Sequence, residues 1–262
     1  MCRRRLPLRL RNGCVRRREV EMKNLLLAKT FAVADAVAGA NGEISFAELS
    51  EKLAIPGPTL SRITADLVEA GMIEKHGRSI FRPSFGMVRI GQQALRSSPL
   101  RRQVEPPLRE RAAMLEVNGI FAVMHRDELI FLCRTDGANL YSAPVSSDYA
   151  PWRSGLALVI LAARGDRTAG EEWLKRVINR ERYNPRRELE TFRRRFDEAV
   201  GHGYLLLREV GRRWSVCFPV GRGNDYHAVG FFGDAPERRN FDRLTFECSL
   251  LASRLASLFR ER

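Results

Sequence analysis

Apolar residues recur at helical spacing in two segments near the amino-terminal end of the chain. The first is "NLLLAKTFAVADAVAGA", residues 24–40, and its pattern ends at Gly39 and Gly42. The second, "ISFAELSEKLA", begins with Ser45 and Glu48, whose spacing is that of a capping box, in which each side chain accepts a hydrogen bond from the other residue's backbone N–H. Two helices are therefore predicted, the second with an apolar face of Phe46, Leu49 and Leu53.

A third helix is predicted in "IPGPTLSRITADLVEAGMI", where Pro56 and Pro58 bracket Gly57. Gly57 is the predicted N-cap, and Pro58 suits the first helical position because its missing N–H would have no acceptor there. Gly71 is expected to end the helix. The buried stripe would consist of Leu60, Ile63 and Leu67.

Two short helices separated only by residues 54–57 predict a helix-turn-helix. The amino-terminal end of the second helix in this motif enters the major groove of DNA. Its exposed side here carries Thr59, Ser61 and Arg62, whereas Asp66 and Glu69 lie toward the far end. The alternative for these two helices alone is an ordinary helical hairpin.

The stretch "GMIEKHGRSIFRPS" predicts a β-hairpin with a tight turn at His76 and Gly77. A basic hairpin directly after a helix-turn-helix is typical of a wing, which contacts the DNA backbone or the minor groove. This favours DNA binding over the helical hairpin. The predicted DNA-contacting residues are Ser45, Gly57, Pro58, Thr59, Ser61, Arg62, Lys75, Arg78 and Arg82.

The pattern beyond residue 99 mixes helices and strands and predicts an α+β domain with an antiparallel sheet. A linker helix is expected to break at Ser97 to Pro99, and a further helix is expected to start after Pro106 and Pro107. The predicted divisions are a basic extension (1–22), a winged helix-turn-helix domain (23–85), the linker helix (86–99) and a second domain (100–262). Predicted strands are "GIFAVMHRDELIFLCRT" with a turn at Arg126 and Asp127, "ANLYSAPV", "YLLLREV", "RWSVCFPV" and "YHAVGFFGD". Predicted helices are "SGLALVILAAR", "GEEWLKRVI", "NPRRELETFRRRFDEAVGHG" and the final "RNFDRLTFECSLLASRLASLFRER".

The formal net charge of +14 favours an acidic polymer as a partner, although arginine-rich composition alone can produce such a value. Half of the excess lies in the first 23 residues, which hold nine Arg or Lys and two Glu. No apolar run of signal-peptide length follows the arginines. The segment is either an arm that lies along DNA or an upstream extension with translation starting at Met22, and the second interpretation is preferred.

Five cysteines are scattered without a CxxC pair, which predicts neither a zinc site nor a disulfide framework. We expect no cofactor or metal. The reducing cytoplasm is the expected compartment. No stretch approaches the ~18 apolar residues of a membrane span.

From residue 24 to 262 the chain resembles the IclR family of bacterial transcription regulators. The likeness is strongest in "LAIPGPTLSRITADLVEAGMIEKHGRSIFRPSFGMVRIG" and in "ELETFRRRFDEAVGHGYLLLREVGRRWSVCFPV". Ile55, Pro56, Thr59 and Arg62 match the family's recognition-helix motif. The resemblance implies a GAF/profilin-like effector-binding domain in the second half. It also implies a homodimer or homotetramer on double-stranded DNA with a palindromic operator.

The sequence departs from the family pattern at the expected effector pocket. Leu156 replaces a lysine at the start of the pocket helix, and Gly230 and Phe232 stand where several members have serines. A less polar pocket would favour an aromatic or hydrophobic acid, whose carboxylate would meet backbone N–H groups at Ser154, Gly155 and Leu156. The remaining candidates are Trp152 and Trp214 at the rim, and Ser215 and Cys217, which share one face of a strand. The plain alternative is that these aromatic residues are core and the pocket is closed.

Two other functions remain open at this stage. Cys217 with His202 or His227 would supply a nucleophile and a base for an enzyme, but no nucleophile elbow, phosphate loop or metal spacing accompanies them. The second domain would instead serve only assembly if the final helix used Leu244, Leu251, Leu255 and Leu258 as a partner surface.

Overall fold

A computed structural model describes residues 25–40, 42–125, 128–136, 139–141, 151–165, 167–178, 183–209, 213–222, 225–234 and 240–259. The chain divides into two compact units between Ile90 and Gly91. The predicted extension at 1–22, the turn at Arg126 and Asp127 and the end of "ANLYSAPV" lie outside the described residues.

The first unit is a small helical domain with a three-stranded antiparallel sheet in the order β1-β3-β2. Val33, Leu49, Leu60, Ile63 and Ile73 form the centre of its core. The elements are α1 (Leu25–Ala38), β1 (Ile44–Ser45), α2 (Phe46–Leu53), α3 (Gly57–Glu69), β2 (Ile73–His76), β3 (Ile80–Pro83) and the start of α4 (Phe85–Ser97).

Local signals fix the starts of both helices of the helix-turn-helix. The Ser45 hydroxyl accepts a hydrogen bond from the Glu48 N–H at 3.2 Å, and the Ser45 N–H donates to the Glu48 carboxylate at 2.7 Å, so the capping box forms as predicted. The predicted N-cap of α3 is wrong. Pro56 is extended, and its carbonyl accepts from the Leu60 N–H at 2.9 Å, so Gly57 and Pro58 are the first two helical residues.

The hairpin after α3 has a three-residue loop rather than a tight turn at His76. His76 is the last residue of β2 and pairs with Ile80, so the loop is Gly77, Arg78 and Ser79. Gly77 has a φ of +63°, which a glycine adopts without steric cost.

The start of α4 is fixed to the turn between α3 and β2. The Ser84 hydroxyl donates to the Gly71 carbonyl at 2.7 Å, and the Ser84 N–H donates to the Met72 carbonyl at 3.1 Å. A β-carbon on Gly86 would lie only 2.0 Å from the Gly71 carbonyl oxygen. The end of α3 and the start of α4 therefore form one close-packed joint.

The second unit is a six-stranded antiparallel sheet covered by helices on both faces, in the order β6-β5-β4-β9-β8-β7. α6 and α8 pack on one face, and α5 and α9 pack on the other. Its strands are β4 (Asn118–His125), β5 (Glu128–Asp136), β6 (Asn139–Tyr141), β7 (Leu205–Glu209), β8 (Arg213–Arg222) and β9 (Asp225–Asp234). Its helices are the end of α4, α5 (Pro99–Met114), α6 (Gly155–Ala163), α7 (Arg167–Val177), α8 (Pro185–His202) and α9 (Phe241–Leu258).

The helix predicted to start after Pro106 and Pro107 begins several residues earlier. Ser98 caps α5 by accepting from the Arg101 N–H, and Pro99 takes the first helical position. The helix then continues through both prolines, with Val104 and Leu108 fully buried against the sheet. Tertiary packing therefore overrides the local disfavour of proline inside a helix.

The close approach at Gly86 predicts that Gly86→Ala lowers the free energy of unfolding by about 1–3 kcal/mol, because the new methyl group meets a backbone carbonyl. Gly91→Ala in the same helix is the control. A β-carbon there meets nothing within 4 Å, so this change should be neutral or stabilise by about 0.5–1 kcal/mol. Thermal unfolding of both variants checks the prediction, which equal stabilities of the two variants would contradict.

Candidate functional site

The first turn of α3 presents a polar, cationic surface. Ser61 and Arg62 are exposed, and Thr59 is partly exposed beside them. The Gly57 and Thr59 N–H groups have no acceptor among the described residues, because the first helical bond comes from Leu60. Free N–H groups and the positive end of the helix dipole both favour a phosphate at this turn.

The wing, β2 and β3 with their loop, adds basic side chains. Lys75 and Arg78 are exposed, and neither forms an ion pair within the described part of the chain. Arg82 is different, because its Nε lies 3.1 Å from the Glu74 carboxylate across the hairpin. Part of the charge of Arg82 is therefore neutralised before any DNA phosphate approaches.

Residues 25–90 are not basic as a whole. Residues 25–90 contain seven Lys or Arg and seven Asp or Glu, so their net charge is zero. The hydroxyl of Ser45, which is predicted to contact DNA, accepts the Glu48 N–H in the capping box. We therefore expect the attraction of residues 25–90 to DNA to depend on a few well-placed groups at α3 and the wing.

The second unit contains a cavity of about 420 Å³ on the α6 face of the sheet. This volume is in the range of small-molecule sites. Both apolar and polar side chains line it. They are Asn118, Ile120, Phe131, Arg134, Ser154, Gly155, Leu156, Arg213, Trp214, Ser215, Cys217, Phe231, Phe232, Gly233 and Asp234.

The amino-terminal end of α6 meets this cavity. Ser154 is the N-cap residue and is only 5% exposed, yet its side chain makes no capping hydrogen bond. A β-carbon on Gly155 would lie 2.9 Å from the Cys217 sulfur, so the glycine allows α6 to lie directly on β8. The structure thus brings Ser154, Gly155, Leu156, Ser215 and Cys217 together at one wall, where the sequence analysis grouped them.

Phe232 on β9 lines the cavity, whereas Gly230, two residues earlier on the same strand, is not among the lining residues. A β-carbon there would approach the Val216 carbonyl oxygen at 2.9 Å and Leu156 at 3.3 Å. Glycine is therefore the residue that keeps α6 and the sheet this close.

The two tryptophans predicted at the rim occupy other places. Trp152 is buried outside the lining, where its indole N–H donates to Glu188 at 2.8 Å. Trp214 contributes to the cavity wall, but its ring packs in the opposite core against Phe241 and donates to the Asp234 carbonyl at 3.1 Å. The aromatic surface of the cavity comes from Phe131 and Phe232 instead.

Arg134 and Asn118 are cavity residues that the sequence analysis missed. Arg134 lies on β5, and its guanidinium carbon is 4.7 Å from the centre of the Phe232 ring. The sequence contained a signal, a charged residue at the inward position of a strand. The strand pairing needed to interpret it includes an irregularity between Phe121 and Ala122.

A buried carboxylate holds the segment that leads into α6. Glu188, with its side chain 5% exposed, accepts hydrogen bonds from Trp152 and from the guanidinium of Arg153. The Arg153 guanidinium also lies over the Tyr183 ring. The hydrogen bond from Arg153 lowers the pKa of Glu188, although burial opposes this. The Glu188 contacts therefore anchor the residues directly before Ser154.

The residues of the two alternative functions do not form a site. Cys217 packs on the α6 face, whereas His227 contacts the rings of Phe121 and Phe259 on the opposite face, so the sheet separates thiol from imidazole. His202 lies against Tyr204. On the final helix, Leu244, Leu251 and Leu255 are buried against the sheet, so the proposed partner surface is wrong for these residues.

The described ranges contain neither a candidate metal site nor a candidate membrane-spanning helix. They hold no group of three or more His, Cys, Asp or Glu side chains that suits a metal ion. In the same part of the chain, no helix has the length and apolarity that crossing a membrane requires.

Comparison with known proteins identifies the first unit. Residues 26–77 match the IclR helix-turn-helix domain family. No curated protein matches the chain at a significant level.

Solved structures share the fold over most of the chain. An IclR family transcriptional regulator from Brucella abortus matches with a TM-score of 0.76 and 19% identity, over 92% of this chain and 95% of that one. An IclR homolog from Microbacterium hydrocarbonoxydans, complexed with 4-hydroxybenzoate, has a TM-score of 0.61 and 19% identity, over 90% and 100%. An IclR transcriptional regulator from Alicyclobacillus acidocaldarius has a TM-score of 0.63 and 14% identity, over 88% and 97%. The predicted fold class is confirmed.

The Glu188 contacts predict a pH-dependent stability. Because its pKa is lowered in the folded state, ionised Glu188 stabilises the protein above the unfolded-state pKa of about 4.3, and this stabilisation disappears as the pH falls through the folded value. Glu188→Gln should therefore cost about 1–3 kcal/mol at pH 7 and lose less stability than wild type as the pH falls below about 4.3. Denaturant unfolding at several pH values measures both effects.

The matched control is Glu190→Gln on the same helix, because this carboxylate is exposed and pairs with Arg186 in the preceding turn. We expect its stability to differ from wild type by less than about 0.5 kcal/mol at every pH. Parallel pH profiles for wild type and Glu188→Gln would show that the carboxylate charge contributes nothing.

Proposed function

We propose that this chain, which belongs to the IclR family of DNA-binding transcriptional regulators, binds a palindromic operator as a dimer and releases or engages it in response to a small organic acid. The observation that carries the proposal is the pairing of a winged helix-turn-helix with a second unit that contains a polar-lined cavity. Regulators of this family are DNA-binding proteins rather than enzymes, in agreement with the sequence analysis. We expect the protein to act in the cytoplasm.

In the proposed complex, the first turn of α3 enters the major groove. Arg62 reads base edges, Thr59 and Ser61 contact base edges or phosphate, and the N–H groups of Gly57 and Thr59 bind phosphate. Lys75 and Arg78 of the wing contact backbone phosphates. Arg82 contributes less than these two because Glu74 already pairs with it.

Exposed apolar side chains on α1 and α4 support a dimer formed through the first unit. Phe31 on α1 is 68% exposed and Phe85 on α4 is 84% exposed, and Leu27, Val88 and Ile90 are exposed on the same two helices. α4 has no buried residue at all between Phe85 and Ser97. We propose that a second copy covers these side chains and thereby places two α3 helices on the two halves of a palindrome.

The effector is proposed to be an aromatic acid bound in the cavity. Ile120, Phe131, Leu156 and Phe232 offer apolar contact to a ring, while the Ser154 and Ser215 hydroxyls offer hydrogen bonds. The Microbacterium hydrocarbonoxydans homolog holds 4-hydroxybenzoate, which makes this compound the first probe.

We propose that the first unit can take two placements and that α4 carries the shift between them. Effector and operator each act by favouring one placement. α4 suits this role because its start is locked to the end of α3 through Ser84 and Gly86. An effector that prefers one placement must change operator affinity, and the operator must change effector affinity by the same factor.

The test is a fluorescence-anisotropy titration with the duplex upstream of the chain's own gene and a scrambled duplex, each with and without 4-hydroxybenzoate. At about 150 mM salt a specific site should bind about 10³-fold more tightly than the scrambled one. No binding to either duplex would contradict the DNA-binding proposal. An operator affinity that stays the same with every aromatic acid tested would contradict the effector proposal alone.

Arg62→Ala should weaken operator binding by about 1–3 kcal/mol and relax the preference for one base pair, because the guanidinium no longer reaches a base edge. Its control is Arg186→Ala, which removes an exposed arginine from α8 in the second unit and should leave affinity unchanged. Unchanged operator affinity in Arg62→Ala would show that α3 is not the recognition helix.

Combined Lys75→Ala and Arg78→Ala should weaken binding to the operator and the scrambled duplex alike. The slope of log affinity against log salt should fall by about 0.9 for each phosphate that the variant no longer neutralises. Glu74→Gln should instead strengthen binding to both duplexes, because it releases Arg82 from its ion pair. A change in sequence preference without a change in salt slope would show that the wing reads bases rather than phosphates.

A further inference from the structure

The cavity contains two cationic side chains, and they occupy different positions. Arg213 is at the mouth, where its side chain is 78% exposed and its Nε lies 3.8 Å from Asp234, itself 81% exposed. Arg134 is half-buried inside, with its guanidinium over the Phe232 ring. Asp234 is the one acidic residue among the described lining residues, and it lies at the mouth beside Arg213.

The strand register places Arg134 at the opposite end of the cavity floor from α6. Arg134 pairs with Ile120, Ile120 with Gly230, and Gly230 with Cys217, on four successive strands. Strands lie about 4.8 Å apart, so the backbones of Arg134 and Cys217 are roughly 14 Å from each other. Gly155 rests on Cys217, and the row between the two ends is apolar, with Leu156 and the Cys217 sulfur packed over Gly230.

Each end of the floor favours a different ligand group. A guanidinium bears a full charge and five N–H donors in a planar fork that matches a carboxylate. The Phe232 ring supports that fork by a cation–π contact. The end at α6 offers the Ser154 hydroxyl, which makes no hydrogen bond to the described residues, and a helix dipole equivalent to about half a charge.

We propose that Arg134 binds the carboxylate of the effector and so determines both its charge and its orientation. The ring lies between Leu156 and Phe232, and a neutral hydroxyl at the far end of the ligand meets Ser154 and the first turn of α6. The inference rests on the proposed effector function, and it reverses the orientation that the sequence analysis expected. It predicts that the cavity selects acids over uncharged analogues of the same shape.

The experiment compares 4-hydroxybenzoate with 4-hydroxybenzamide, which has nearly the same shape and no charge. Calorimetric titration of the full chain should show the acid binding at least about tenfold more tightly than the amide. Arg134→Met should remove this preference by weakening the acid alone, whereas Arg134→Lys should retain part of it. Arg208→Met is the matched control, because the Arg208 guanidinium also lies over an aromatic ring, that of Phe241, but outside the cavity lining, and it should keep the preference.

The outcomes separate this inference from the proposed function. If Arg134→Met binds the acid like wild type and Ser154→Ala does not, the carboxylate lies at α6 and the inference is overturned, while the effector function stands. Equal binding of acid and amide by wild type also overturns it. If wild type binds neither these compounds nor other hydroxylated benzoates, the aromatic-acid effector fails and the inference fails with it. Thermal unfolding without ligand identifies any variant that has merely lost its fold.

Discussion

The six-stranded sheet of the second unit must bury both of its faces, and the rest of that unit depends on this constraint. β8 shows the consequence, since Val216 faces α9 while Cys217 faces α6. α6 is buried along nearly its whole length, so it can lie on the sheet only where small residues permit close approach. Gly155 and Gly230 supply that approach, and the cavity is the space that remains beyond them, where α6 begins.

The first unit is constrained differently, because it presents the start of α3 with first-turn N–H groups that make no hydrogen bond within the helix. An N-cap serine or aspartate would accept from an N–H group of the first turn. Pro56 has no such side chain, and Pro58 has no N–H to satisfy, so the two prolines fix the start of α3 yet leave the Gly57 and Thr59 N–H groups available. The two prolines thereby account for a rigid helix start that leaves two donors for the proposed contact with DNA.

Features that depend on neighbouring residues could be predicted from the sequence, and features that depend on strand pairing could not. The capping box at Ser45 and the Asn184 cap of α8 are local, and both form. The course of α5 through Pro106 and Pro107 is decided by burial against the sheet. The sequence pattern placed Trp152 at the rim because it gives no sign of the hydrogen bond to Glu188, which lies 36 positions away. Arg134 was missed because its position opposite Ile120 follows from the register alone.

The neutral net charge of residues 25–90 bears on how such a regulator is controlled. A strongly basic domain would hold any DNA through general electrostatic attraction, whatever its placement. The proposed dimer would rely instead on a few groups at α3 and the wing of each copy, and these would meet the duplex together only when the two copies are correctly spaced along it. In the proposed mechanism, a small change in the position of α4 would withdraw several of these groups from the DNA at once. The joint at Ser84, Gly71 and Gly86 couples the start of α4 to the end of α3, so the proposed control through α4 would need no separate relay inside the first unit.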